Sequence, residues 1–127
     1  MVIDKHTLRL KLTRLKHNMT TITFHKTKSG EYTGFTCSGH AGFDKHGNDI
    51  VCAAVSVLVI NTINSLDEIV HEDISVESDE TSGYIACKFK APLKESSKVL
   101  MASLELGLSQ IVKQYEEKYC KIKFKEV

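Results

Sequence analysis

The chain has 127 residues, 42% of them hydrophobic and 26% charged, which suits one soluble globular domain with a single core. A formal net charge of +1 gives no general case for binding nucleic acid or a membrane surface. Residues 1–18 nevertheless carry Lys5, Arg9, Lys11, Arg14 and Lys16 against Asp4, a net of +4, leaving −3 on residues 19–127 and arguing against a broad polyanion-binding surface there.

Residues 1–18 read as a basic extension, either a short strand or a disordered arm, because Leu8, Leu10 and Leu12 alternate with basic residues and no apolar signal-peptide region is present. The compact domain is expected to begin at Met19 and run to residue 127. Thr20–Lys26 alternates, with Ile22 and Phe24 on one face and Thr21, Thr23 and His25 on the other, the pattern of a half-buried strand. Lys28-Ser29-Gly30 supplies a turn into a second strand, Tyr32–Ser38, with Thr33, Phe35 and Cys37 on one face. A glycine-containing loop follows, and then a helix from about Ile50 to Val70 with Asn48 or Asp49 as its N-cap. Its first part, IVCAAVSVLVI, is apolar on nearly every side, as in a central helix covered by a sheet and a neighbour, and this run is too short to span a bilayer. Asp73–Ser78 and Tyr84–Phe89 read as a second hairpin, Ser96–Tyr119 as an amphipathic helix with Leu100, Leu104, Leu108, Ile111 and Tyr115 inward, and Cys120–Lys125 as a last, lysine-bearing edge strand. The order ββαββαβ predicts a single α+β domain, one sheet with two helices packed on one face.

Four cysteines at 37, 52, 87 and 120 make no C-x-x-C pair, which reads as free thiols in a reducing compartment. Strand parity places Cys37, Cys87 and Cys120 among inward apolar residues, where cysteine is a small hydrophobe. Cys52 differs. With Asp49 as N-cap it would be the third residue of the helix, near the unpaired N–H groups and the positive end of the dipole, which lower a thiol pKa and can hold an oxyanion. A nucleophilic thiol needs a base. His40, at the end of the second strand between Gly39 and Ala41, is the best placed of the six histidines. Spacing alone leaves other roles open: packing for Cys52, a cap or surface-loop role for His40, and a metal site of Cys37, His40 and Cys52.

The stretch Ser38-Gly39-His40-Ala41-Gly42, continued by Gly47-Asn48-Asp49-Ile50-Val51-Cys52-Ala53-Ala54-Val55-Ser56, resembles the ribosomal-processing cysteine protease family Prp, and the resemblance extends over residues 19–127. It implies a cytoplasmic bacterial homodimer that removes a short N-terminal extension from a large-subunit ribosomal protein precursor during ribosome assembly. Cys52 would be the nucleophile, His40 the general base and acid, and Asp49 an N-cap with a possible orienting role. Gly39, Gly42, Gly47 and Ser56 are the expected substrate-binding residues, with the loop closing over the peptide. No cofactor, metal or membrane is called for, and nucleic acid enters only indirectly, through the ribosome. The competing reading is a non-catalytic ribosome-assembly or RNA-binding module.

Overall fold

The computed structural model describes residues 20–39, 46–79, 83–90, 92–115 and 119–127, with backbone only for residues 46–49. Strands β1 (Thr20–Lys26), β2 (Tyr32–Gly39), β3 (Ile74–Asp79), β4 (Tyr84–Phe89) and β5 (Cys120–Glu126) form one sheet in the order β3-β4-β2-β1-β5. Helices α1 (His46–Ser65) and α2 (Glu95–Tyr115) lie against each other over one face of it. The ββαββαβ order and the one-sheet, two-helix architecture are those expected. Both hairpins are antiparallel, and β5 lies parallel to β1, with Ile22 opposite Ile122 and Phe24 opposite Phe124.

Inward residues from every strand meet the helices in one core: Ile22 and Phe24, Phe35 and Cys37, Val76, Ile85 and Cys87, and Cys120. From α1 come Val51, Val55, Val59 and Ile63, and from α2 Met101, Leu104 and Leu108. Burying such side chains contributes about 1.5–3 kcal/mol each, which is why the two-residue and three-to-four-residue spacings foretell the elements. The helices approach closely where Gly107 faces Leu58. A Cβ at 107 would lie 3.1 Å from a Leu58 methyl.

Three features differ from the sequence expectation. First, Lys26 pairs with Tyr32 while His25 pairs with Gly34, so Thr33 is the extra residue of a β-bulge. The bulge turns Tyr32, not Thr33, toward the helices. There its hydroxyl donates to Glu105 of α2 at 2.6 Å, and Lys26 pairs with the same carboxylate at 3.2 Å. Gly34, next to the bulge, lets β2 approach β4, since a Cβ there would sit 2.5 Å from the Cys87 carbonyl oxygen.

Second, α1 is not covered on all sides. Val51, Val55 and Val59 are buried, but Ile50, Ala53 and Val57 form an exposed apolar stripe, with Ile50 and Val57 about half exposed. The sheet and α2 cover one side of the helix and leave the other to solvent.

Third, α1 runs on through a π-helical turn, Leu66–Val70, and stops where His71 adopts a left-handed conformation (φ 59°, ψ 43°). Counted from Ile50 to Val70, these 21 residues are long and apolar enough to cross a bilayer by length and composition, although half of the 18-residue apolar window within them is buried in this fold. The helix thus ends at Val70, as expected, and the π-helical form of its last turn is the difference.

The junction after α1 is tied to the start of α2. Glu72 accepts from the Ser97 hydroxyl at 2.7 Å, the Lys94 N–H at 3.0 Å and the Asp73 N–H at 3.3 Å. The Lys94 ammonium donates to the carbonyls of His71 and Val70 at 2.8 and 3.1 Å. Partial burial pushes the Glu72 carboxyl up, but these donors and the Lys94 charge outweigh it and hold the group below the ordinary carboxylate range.

Candidate active site

The site is built where one end of the sheet meets α1. Thr20, the first residue of β1, stands opposite Gly39, the last residue of β2, and on its other side opposite Cys120, the first residue of β5. Parity turns the Thr20 side chain toward the helices with Ile22 and Phe24, and its hydroxyl lies 3.7 Å from the Cys52 sulfur. Both residues are buried, Thr20 at 2% exposure and Cys52 at 3%. A buried hydroxyl within reach of sulfur can donate to a thiolate or accept from a thiol, so Thr20 is suited to fix the sulfur's position.

Two further thiols lie close to this point. Burial pushes the Cys37 thiol up to about 12, with Cys120 and Cys52 adding to the shift. Burial likewise pushes Cys120 up to about 11, and Cys52 adds to it. Cys87, under β4, is pushed up to about 12 by burial alone. A thiol held that high stays protonated at neutral pH and is a poor nucleophile. Inward parity therefore identifies Cys37, Cys87 and Cys120 as core residues. Burial alone does not separate Cys52 from them, because it is equally enclosed; its place on α1 and its Thr20 neighbour do.

The start of α1 requires a correction. The helix begins at His46, so Asp49 is its fourth residue and not its N-cap, and Cys52 is its seventh residue, in the second turn. The N–H groups that lack intrahelical acceptors belong to the first four residues, and that of Cys52 is not among them. Helix-start N–H groups therefore do not surround the thiol as expected. An acidic residue ahead of an apolar run suits the first turn of a helix as well as its cap, since both positions lie at the positive end of the dipole, so the sequence pattern does not distinguish them.

Of the expected substrate-binding residues, Gly39 closes β2 beside Thr20, and Gly47 is the second residue of α1. His40 and Gly42 lie outside the described residues, as do residues 41–45 of the loop 41–48 expected to close over a peptide; residues 46–48 are not loop but the start of α1. Ser56 is 1% exposed. Four residues beyond Cys52, it shares the buried side of α1 with the thiol. Thr20 was missed by sequence reasoning. The signal was a polar residue at an inward strand position.

The sequence profile of the cysteine protease Prp family matches residues 19–121. The chain belongs to the Prp cysteine protease family. The ribosomal processing cysteine protease Prp of Mycoplasma pneumoniae is 32% identical over 94 residues, 74% of this chain and 75% of that protein. The fold matches two crystal structures of the ribosomal processing protease Prp from S. aureus. The one in complex with a substrate peptide gives a TM-score of 0.77 at 20% identity, covering 84% of this chain and all of that one. The other, with a covalently linked product peptide, gives 0.74 at 21% identity with the same coverage. The Prp match begins at residue 19, one residue before β1, and residues 1–18 lie outside it.

Proposed function

We propose that this chain is a cytoplasmic cysteine endopeptidase that removes an N-terminal extension from a large-subunit ribosomal protein precursor, with Cys52 as nucleophile and His40 as general base and acid. The observation that carries this reading is the placement of Cys52 in a chain of the Prp family. Its sulfur lies 3.7 Å from the Thr20 hydroxyl, and Thr20 pairs with Gly39, the residue to which His40 is bonded. Residues 1–18 are an extension outside the protease domain.

In the reaction, His40 takes the Cys52 proton and the thiolate attacks the scissile carbonyl. The imidazolium then protonates the leaving amine as the C–N bond breaks, leaving the N-terminal fragment as a thioester on Cys52. A water, deprotonated by His40, attacks the thioester and releases the fragment with regeneration of the thiol. Thr20 positions the sulfur through both steps. Gly39, Gly42 and Gly47 give the backbone room for the peptide and for loop closure, and Asp49 has a supporting role near the helix start. Because Cys52 is 3% exposed, peptide access requires that closure to follow an opening that uncovers the thiol.

The enzyme acts as a homodimer. The apolar stripe of Ile50, Ala53 and Val57 supports this, because a single chain leaves it exposed. Incubating the precursor protein with the wild-type chain and with Cys52→Ala and His40→Ala tests the assignment. Cleavage by the wild type and its loss in both folded variants is the expected result. Unchanged cleavage by Cys52→Ala would overturn it.

A further inference from the structure

The sheet face turned away from the helices has a charge pattern that peptidase chemistry does not use. Its residues follow from the strand register. Lys121, Lys123 and Lys125 of β5 point to it, since Cys120 and Ile122 take the core side. They stand beside Thr21, Thr23 and His25 of β1, which in turn face Ser38, Thr36 and Gly34 of β2. Beyond Gly34 comes Lys88 of β4. One row across the sheet therefore reads Lys125, His25, Gly34, Lys88, and a pocket of about 210 Å³ lies in it, lined by His25, Thr33, Thr36 and Lys88 among others.

The four lysines are exposed, and none forms an ion pair with a described carboxylate. Among the described residues, the outward positions of β5, β1 and β2 hold no acid. Glu77 and Asp79 are on β3, four strand spacings or roughly 19 Å from β5. Near-neutral total charge thus conceals a face that is positive at one side and negative at the other. The field is visible at His25, whose pKa is lowered by burial first and then by Lys125 on the adjacent β5 and Lys88 two strands away on β4.

We infer that this face binds the phosphate backbone of structured RNA, independently of the Cys52 site on the opposite side of the sheet. Successive lysines on β5 are about 6.6 Å apart, a spacing suited to neighbouring phosphates. The threonine and serine hydroxyls between the lysine groups add donors for phosphate oxygens. Among the described residues, the aromatic side chain of Tyr, Phe or Trp on this face is Tyr84, at its far corner beside Asp79, so the described surface suits backbone contact better than base stacking. Lysines on an edge strand also discourage strand pairing, but that role needs no particular side of the sheet and leaves Lys88, on an interior strand, without a reason. RNA is the occupant that fits a family named for ribosomal processing, and its contact with this chain would be direct.

The test is anisotropy titration of a labelled RNA hairpin with the full chain over a range of salt concentrations. Four phosphate contacts contribute about −3 to the slope of log K against log salt, so Lys121→Gln/Lys123→Gln/Lys125→Gln should reduce the slope by about 2 and weaken binding at low salt by more than about tenfold. Lys88→Gln, on a separate strand, should reduce the slope by about 1. Peptide cleavage by both variants should be retained. Neutralising the basic residues of 1–18 separates the arm from the sheet and should leave the sheet's share of the slope in place. Absence of binding at low salt, binding by the triple variant equal to the parent, or loss confined to the arm variant would overturn the inference. So would displacement of the RNA by polyglutamate at equal charge concentration, which would point to an acidic protein partner.

Discussion

Thr20→Val is the most instructive perturbation of the site. Valine keeps the volume and β-branching of threonine and replaces only the hydroxyl that lies 3.7 Å from the Cys52 sulfur. For stability the change is small. A neutral hydrogen bond contributes about 0.5–1.5 kcal/mol net, and a methyl is compatible with a position 2% exposed beside Ile22. A loss of about 1 kcal/mol would shift the melting midpoint by about 4 °C. For catalysis the effect is larger, because the same hydroxyl faces a thiolate in the reactive state. Hydrogen bonds to charged groups contribute about 1.5–3 kcal/mol, which converts to a fall in kcat/KM of about 10- to 150-fold. Thr20→Ser keeps the hydroxyl and should restore most of the rate at some cost in packing. The assay is cleavage of the precursor, with thermal unfolding run in parallel. Undiminished kcat/KM in Thr20→Val, or equal defects in the valine and serine variants, would refute a positioning role for the hydroxyl.

Further outcomes follow from the fold. Glu72→Gln keeps the shape but weakens three hydrogen bonds at the α1–α2 junction, and should cost about 1–2 kcal/mol of stability at neutral pH. Because the folded-state carboxyl is held below its ordinary value of 4.5, the wild type gains this stability above pH 4.5 and loses it as pH falls through the depressed value; the variant should show a flatter acid limb in pH-dependent denaturant melts. Gly34→Ala puts a Cβ 2.5 Å from the Cys87 carbonyl oxygen, and calorimetry should show a loss of about 1–3 kcal/mol or more as β2 and β4 separate. Val57→Glu places a charge in the exposed apolar stripe of α1, at 51% exposure, and should dissociate the proposed dimer; light scattering is expected to give a dimer mass for the parent and a monomer mass for the variant, and equal masses would remove α1 from the interface.

Much of this architecture was legible from periodicity. Thr20–Lys26 alternates because its inward residues fill the core beneath β1, and Leu104 and Leu108 recur because α2 turns one side to the sheet. What local pattern could not supply was set by tertiary contact or by degenerate signals. The Thr33 bulge was hidden because Tyr32 and Thr33 both suit a strand; the Glu105 carboxylate, far away in sequence, helps fix which of them faces inward. Asp49 marked the approach to α1 but not its first residue, since an acid fits either place. The exposed stripe at Ile50 and Val57 was invisible because an apolar run looks the same whether its outer side meets the same chain or solvent. At the site, the sequence singled out Cys52 from three other thiols through parity, whereas Thr20 became evident only once β1 was set against α1.

Covalent catalysis through Cys52 is tested by trapping the intermediate. The chain is mixed with its precursor substrate, quenched in acid during the first turnovers, and examined by intact mass and peptide mapping. The expected species is a thioester carrying the N-terminal fragment on Cys52, absent from Cys52→Ala. Cleavage that proceeds with no adduct in that variant, or an adduct mapped to Cys37, Cys87 or Cys120, would contradict it.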